Sequence, residues 1–190
     1  AIGAPYNNND NGINSGHTRI YQYDGTSWTQ LGSDIDGENE GDKSGTSVSL
    51  SSDGTIVAIG APYNFGKGLR IRSGHTRIYQ YDGTSWVQLG SDIDGDIDHG
   101  GLFGNAVSLS SDGTVVAIGA SIALGSNNDE DLTGSTRLYQ YNGTSWVQLG
   151  SEIYGDGPGN RFGDAVSLSS DGTLVAIGAW EYRPSGVVYT

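Results

Sequence analysis

Cysteine and methionine are both absent from this chain of 190 residues. Their absence excludes disulfides, thiolate metal sites and cysteine nucleophiles. Bases are scarce: 9 Lys and Arg stand against 22 Asp and Glu, for a formal net charge of −13 and a pI near 4.2. A surface of that sign repels phosphate backbones and anionic headgroups, so nucleic acid is not an expected partner. No window approaches the ~18 apolar residues of a membrane span, which argues against membrane insertion. No signal peptide is visible, and the chain opens on Ala1 rather than Met, pointing to a processed N-terminus or a longer parent. High acidity, 32 glycines and no oxidisable sulfur suit an extracellular or cell-surface setting.

What is present is a repeat. The tetrapeptide AIGA begins at residues 1, 58, 117 and 176, giving periods of 57, 59 and 59. Each period carries first a segment such as AVSLSSDGTVVAIGA (106–120) and then one such as SGHTRIYQYDGTSWVQLGSDI (73–93). Periods of this length mark solenoids, propellers or arrays. Val107 and Leu109 alternate with Ser108 and Ser110, the period of a strand with one buried face. Asp112-Gly113 suits a tight hairpin in which both residues take positive φ. TVVAIGA is apolar on both faces, as for a strand between neighbours, and Asp82-Gly83 turns RIYQY into WVQLGSDI. Length varies in only two places. The loop after AIGA has 10, 11, 12 and then 5 residues, and the fourth-strand Ile lies 10, 11 and 10 residues before the next SG or FG glycine.

The predicted class is therefore all-β, a β-propeller of four-stranded antiparallel blades of about 59 residues, incomplete in this chain. The predicted organisation is a partial blade (strands 2–4) with linker over 1–46, blades over 47–105 and 106–164, and a partial blade over 165–190, all in one propeller domain. A closed ring of seven such blades would need about 410 residues. Further blades, or copies of the chain, are expected to complete it.

FGNAVSLSSDGTVVAIGAS (103–121) and FGDAVSLSSDGTLVAIGAW (162–180) resemble the FG-GAP repeat, the blade of integrin α-subunit propellers. Phe103-Gly104 and Phe162-Gly163 match its opening, and Gly3-Ala4-Pro5 and Gly60-Ala61-Pro62 match its closing. Ser44-Gly45 keeps only the glycine, and Gly119-Ala120-Ser121 and Gly178-Ala179-Trp180 lack the proline. The resemblance implies an extracellular or surface-exposed propeller in adhesion or assembly. The family's calcium loop, D-x-D-x-D-G-x-x-D between the first two strands, is not matched. Ser51-Ser52-Asp53-Gly54 and its equivalents are too short and carry one carboxylate each.

A second acidic loop, DIDGDIDHGG (92–101), follows the fourth strand. Asp92, Asp94, Asp96 and Asp98 form a candidate Ca²⁺ site, because hard cations take closely spaced carboxylates around a turning glycine. A solvated acidic turn is the other reading. The counterparts DIDGENEGDK (34–43) and EIYGDGPGNR (152–161) differ, and the spacing is not that of an EF-hand: the glycine falls at position 4 and Phe103 at position 12. Ile35, Ile93 and Ile153 are expected to point into the core, with Asp92 and Asp94 on the opposite face.

His17 and His75 share a slot filled by Ser135 in the next repeat, which favours a polar strand-end contact over a ligand or base. His99 sits alone in the acidic loop. Trp28, Trp86 and Trp146 recur in TSW[TV]QLG, either as wedges between blades or as platforms for glycans. Arg19, Arg77 and Arg137 are equally regular and are expected to pair with acids of a neighbouring strand or blade. Asn142-Gly143-Thr144 is a sequon at a hairpin tip. No nucleophile–base arrangement stands out, so no enzyme is expected. Two functions remain: a structural or adhesive segment of a larger extracellular surface protein or fibre, and a glycan-binding module using inter-blade aromatics.

Overall fold

The computed structural model describes residues 1–65, 72–96, 101–123, 132–156 and 159–180. Among them there is no helix, and the chain is all-β, in antiparallel sheets. The first unit contains β1 (Ile2–Ala4), β2 (His17–Arg19), β3 (Tyr21–Tyr23), β4 (Trp28–Gln30) and β5 (Ile35–Asp36). The second contains β6 (Ser47–Leu50), β7 (Ile56–Ala61), β8 (His75–Tyr81), β9 (Trp86–Gln88) and β10 (Ile93–Asp94). The third repeats it with β11 (Ala106–Leu109), β12 (Val115–Ala120), β13 (Ser135–Tyr141), β14 (Trp146–Gln148) and β15 (Ile153–Tyr154). The fourth shows β16 (Ala165–Leu168) and β17 (Val175–Gly178).

Each complete unit is a meander whose last strand is broken. β8 pairs with β9 at one end and with β10 at the other. Between the pairs Tyr79–Gln88 and Thr76–Ile93, two residues of β8 face four, Leu89 to Asp92. Two extra residues thus form a bulge, and Gly90 at φ 78° permits it. The bulge lifts Asp92 towards Arg77, which creates the site described below.

The turn after the first strand differs from the expected two-residue hairpin. Gly113 has φ 70°, but Asp112 is not in the positive-φ region. The loop instead spans four residues, closed by Ser110 N–H donating to Val115 O at 2.9 Å. Ser110, expected on the solvent face, is buried, because its hydroxyl accepts from Val115 N and donates to Asp112 Oδ1. Asp112 also accepts from Thr114 N, and these bonds, the Thr114 amide first, hold its carboxyl below the usual carboxylate range. Asp112→Ala is expected to lower stability by about 1 kcal/mol, read as a shift in urea midpoint at constant slope.

The core lies at the seams between units. Successive side chains of a strand point to opposite faces, so β7 sends Val57 and Ile59 to one seam and Ile56 and Ala58 to the other. This is why every residue of β7 and of β12 is buried. Ile35 and Ile93 enter these cores as expected, covered by Tyr79 and Trp86 and by Tyr139 and Trp146 of the following unit. Ile153 does not: it is 37% exposed, because no such aromatic pair covers it among the described residues. The first strands lie side by side, Leu109 N donating to Ser49 Oγ and Leu168 N to Ser108 Oγ, each at 3.0 Å. The serine face of AVSL thus joins units.

Candidate functional site at the seams between units

Recurring side chains mark the first two seams, and each is set by local structure. The tryptophan that opens the fourth strand reaches back one unit. Trp86 Nε1 donates to Leu31 O and Trp146 Nε1 to Leu89 O, both at 2.8 Å. The ring rests on a glycine of that unit: a Cβ on Gly32 would lie 2.9 Å from Trp86 Cδ1, and one on Gly90 would lie 3.0 Å from Trp146 Cδ1. Tyr81 and Tyr141 flank these rings at 5.2 and 5.3 Å between centroids. Trp28 has no described unit in front of it and is 68% exposed, beside Ile2 and Tyr21 in an apolar cleft of about 440 Å³.

The arginine of the third strand holds acids from two places. Arg19 makes a bidentate pair with Asp34 of its own unit, at 2.8 and 3.0 Å. Arg77 donates through Nε to Asp92 Oδ1 at 3.0 Å, and through Nη2 to Glu38 of the preceding unit. Arg137 repeats this with Glu152 at 3.0 Å and with Asp96 of the preceding unit. The expected pairing with neighbouring acids is what is seen. Arg77 and Arg137 are nearly buried, whereas the Arg19 side chain is 43% exposed.

These arginines also place the aspartates of the acidic loop. Asp92 accepts from Arg77 and from Gln88 Nε2 at 2.7 Å, Asp94 stands opposite His75 on β10, and Asp96 goes to Arg137 of the next unit. Asp98 and His99 lie outside the described residues. Burial pushes the Asp92 carboxyl up, but the Gln88 amide, the Arg77 charge and His75 together hold it below its ordinary value. His75 is 3% exposed, and burial lowers its imidazole pKa despite Asp92, Asp42 and Asp94 around it. Among the described residues, two groups offer three ligand atoms within 4.8 Å of one another: His17, Asp34 and Asp36, and Glu38, His75 and Asp92.

Two matching clefts run along the seams, one of about 330 Å³ lined by Asp34, Asp36, Tyr79, Ser85 and Trp86, the other of about 230 Å³ lined by Asp92, Asp94, Tyr139, Ser145 and Trp146. Asn142 sits exposed at its hairpin tip, its Oδ1 accepting from Thr144 N and Ser145 N at 2.9 Å.

Sequence reasoning missed the burial of Asp42. It is fully buried, its Oδ2 accepting from Asn39 N at 3.0 Å and Asn64 Nδ2 at 2.8 Å, while Oδ1 has no hydrogen bond. The signal is a paired exchange. Where the seam between the first two units sets Asp42 against Asn64, the next seam sets Gly101 against Ala123, whose Cα would lie 3.0 Å from a Cβ on that glycine. The chain matches no protein-family model and no curated protein.

Proposed function

We propose that the chain is a non-enzymatic segment of a β-propeller built from FG-GAP-like blades. Its role is structural or adhesive in an extracellular or surface setting, within a larger surface protein or a fibre-like assembly that includes copies of itself. The observation that carries this reading is the seam. Its aromatic, basic and acidic side chains are engaged in fastening one unit to the next, and its loops vary while the fastening repeats. First strands lying side by side are what radial packing about an axis requires. The exposed sequon at Asn142 suits a secreted surface.

The glycan reading also has a specific observation behind it, the two equivalent clefts that combine Trp, Tyr and paired carboxylates. Trp86→Phe separates the two. It keeps a ring but removes the bond to Leu31 O, so stability is expected to fall by about 1 kcal/mol in a urea titration. The same change at exposed Trp28 is expected to have no measurable effect. A glycan array without a sugar-inhibitable signal supports the scaffold reading. Sugar binding by the wild type, lost in a folded Trp86→Phe protein, overturns it in favour of a lectin.

A further inference from the structure

We propose that Glu38, His75 and Asp92 form a binding site for a divalent transition metal of the zinc class, bridging the first and second units. Glu38 comes from the loop after β5, whereas His75 opens β8 and Asp92 sits in the bulge before β10. A metal here would tie two units together by coordination. The proposal stands whether or not the units close into a ring.

The donor set comes first. One imidazole and two carboxylates suit zinc and its neighbours, whereas calcium takes six to eight oxygens and no nitrogen. The His75 side chain is 4% exposed, and its Nδ1 stands 3.9 Å from Glu38 Oε2, too far for a hydrogen bond. All three donor atoms lie within 4.8 Å of one another. Ligands held by zinc at about 2.1 Å in a tetrahedron sit roughly 3.4 Å apart, so rotamer adjustments of about 1 Å would complete the site.

Arg77 does not use up these carboxylates. It takes Glu38 through Oε1, and Oε2 is the oxygen turned to His75. Asp92 Oδ1 receives Arg77 Nε and Gln88 Nε2, while Oδ2 has only a 3.4 Å contact with Arg77 Nη2. Each carboxylate therefore has an oxygen to spare, and the guanidinium orients both as an outer-shell partner does in established metal sites. Charge favours a cation as well. Asp42, Asp92 and Asp94 act on His75 and Glu38 lies beside it, against the positive charge of Arg77.

The repeat supplies an internal control. In the other three-donor group His17 and Asp34 fill the slots of His75 and Asp92 one unit earlier, but the third donor is Asp36, in the slot of Asp94, rather than an acid from a preceding unit. In the third unit Ser135 stands in the histidine slot, and Tyr154 O–H donates to Glu152 at 2.9 Å where the second unit has Asp94. The constellation appears where the histidine does.

Zinc chloride titrated calorimetrically into chelator-stripped protein tests the site, with thermal melts alongside. Wild type is expected to bind one Zn²⁺ tightly and to melt higher with it. His75→Ser copies the residue that the third unit already buries at this position, and should weaken that binding on the order of 30-fold and abolish the shift. Glu38→Gln, which keeps the length of a half-exposed side chain and an oxygen for Arg77, should weaken it similarly, and His17→Ser should leave it within about twofold. No zinc uptake by wild type overturns the proposal. So does uptake unchanged in both His75→Ser and Glu38→Gln, or lost only in His99→Ala. Calcium binding that exceeds zinc and ignores His75→Ser overturns it in favour of an all-oxygen site in the aspartate loop.

Discussion

Gly60→Ala is expected to destabilise the protein by about 3 kcal/mol. Gly60 lies in β7, outside the positive-φ region, so alanine meets no backbone penalty there. The cost is steric. A Cβ on Gly60 would overlap the carbonyl oxygen of Gly104 and the hydroxyl of Ser47, and would stand 2.8 Å from Gly104 C. Gly104 cannot retreat freely, because its N–H donates to Gly119 O at 3.0 Å and its carbonyl accepts from Ser47 Oγ at 2.7 Å. The units would have to part, uncovering the seam core around Val107, Ile118 and Phe103. Gly119→Ala should behave alike, since its Cβ would overlap Gly163 O in the same way. For a chain of this size, 3 kcal/mol corresponds to a melting temperature lower by roughly 6–12 °C. A loss below about 1 kcal/mol would mean that units slide apart readily, and would remove the seam as the source of stability.

The role of these glycines was half legible. AIGA at a near-constant period announces backbone approach at Gly60 and Gly119, because glycine inside a strand otherwise weakens it. The approach partner is also a repeated glycine, that of the SG or FG pair. What composition could not convey is the strained residue just before that pair. Lys43, Leu102 and Arg161 occupy one position and have φ of 55°, 54° and 49°. None is glycine or asparagine, so propensity gives no warning; tertiary packing imposes the conformation. The same limit explains the turns. Asp-Gly reads locally as a two-residue hairpin, yet hydroxyls of Ser110 and Thr114 add two bonds to the one the carboxylate takes from the Thr114 amide, and these favour a wider loop. Trp86 and Trp146 were visible as recurrent, but their direction was not. A period-2 pattern says which face a side chain takes, and cannot say that the indole N–H finds a carbonyl 55 residues upstream.

Arg77→Met is expected to cost about 2–3 kcal/mol at pH 7 in the presence of EDTA, and Arg19→Met very little. Both arginines hold the same acid slot of their own unit, so the difference lies in burial and in the second acid. Arg19 is 43% exposed and pairs with one acid, Asp34, among the described residues, the setting in which ion pairs contribute least. Arg77 is 13% exposed and lies between Asp92, 19% exposed, and Glu38. Methionine would fill the space but leave two carboxylates facing each other across the seam without their cation. Breaking a buried pair costs about 3–5 kcal/mol, and the 41% exposure of Glu38 reduces that figure. The pH dependence carries a definite sign. Asp92 has its carboxyl held below the ordinary value in the native protein, against the push of burial. Such a group stabilises the fold above the unfolded value near 3.9, and the contribution disappears as pH falls through the native value. Removing Arg77 leaves burial less opposed, so the Asp92 carboxyl moves up and can take a proton when the pH drops. The gap between wild type and Arg77→Met should therefore be widest near neutrality and close below about pH 4. Urea titrations at pH 7 and pH 3 measure both points. Equal stability of the two proteins at pH 7 would show that the guanidinium only decorates the seam. A gap that persists undiminished at pH 3 would show that Arg77 acts through the packing of its methylene stem rather than through its charge.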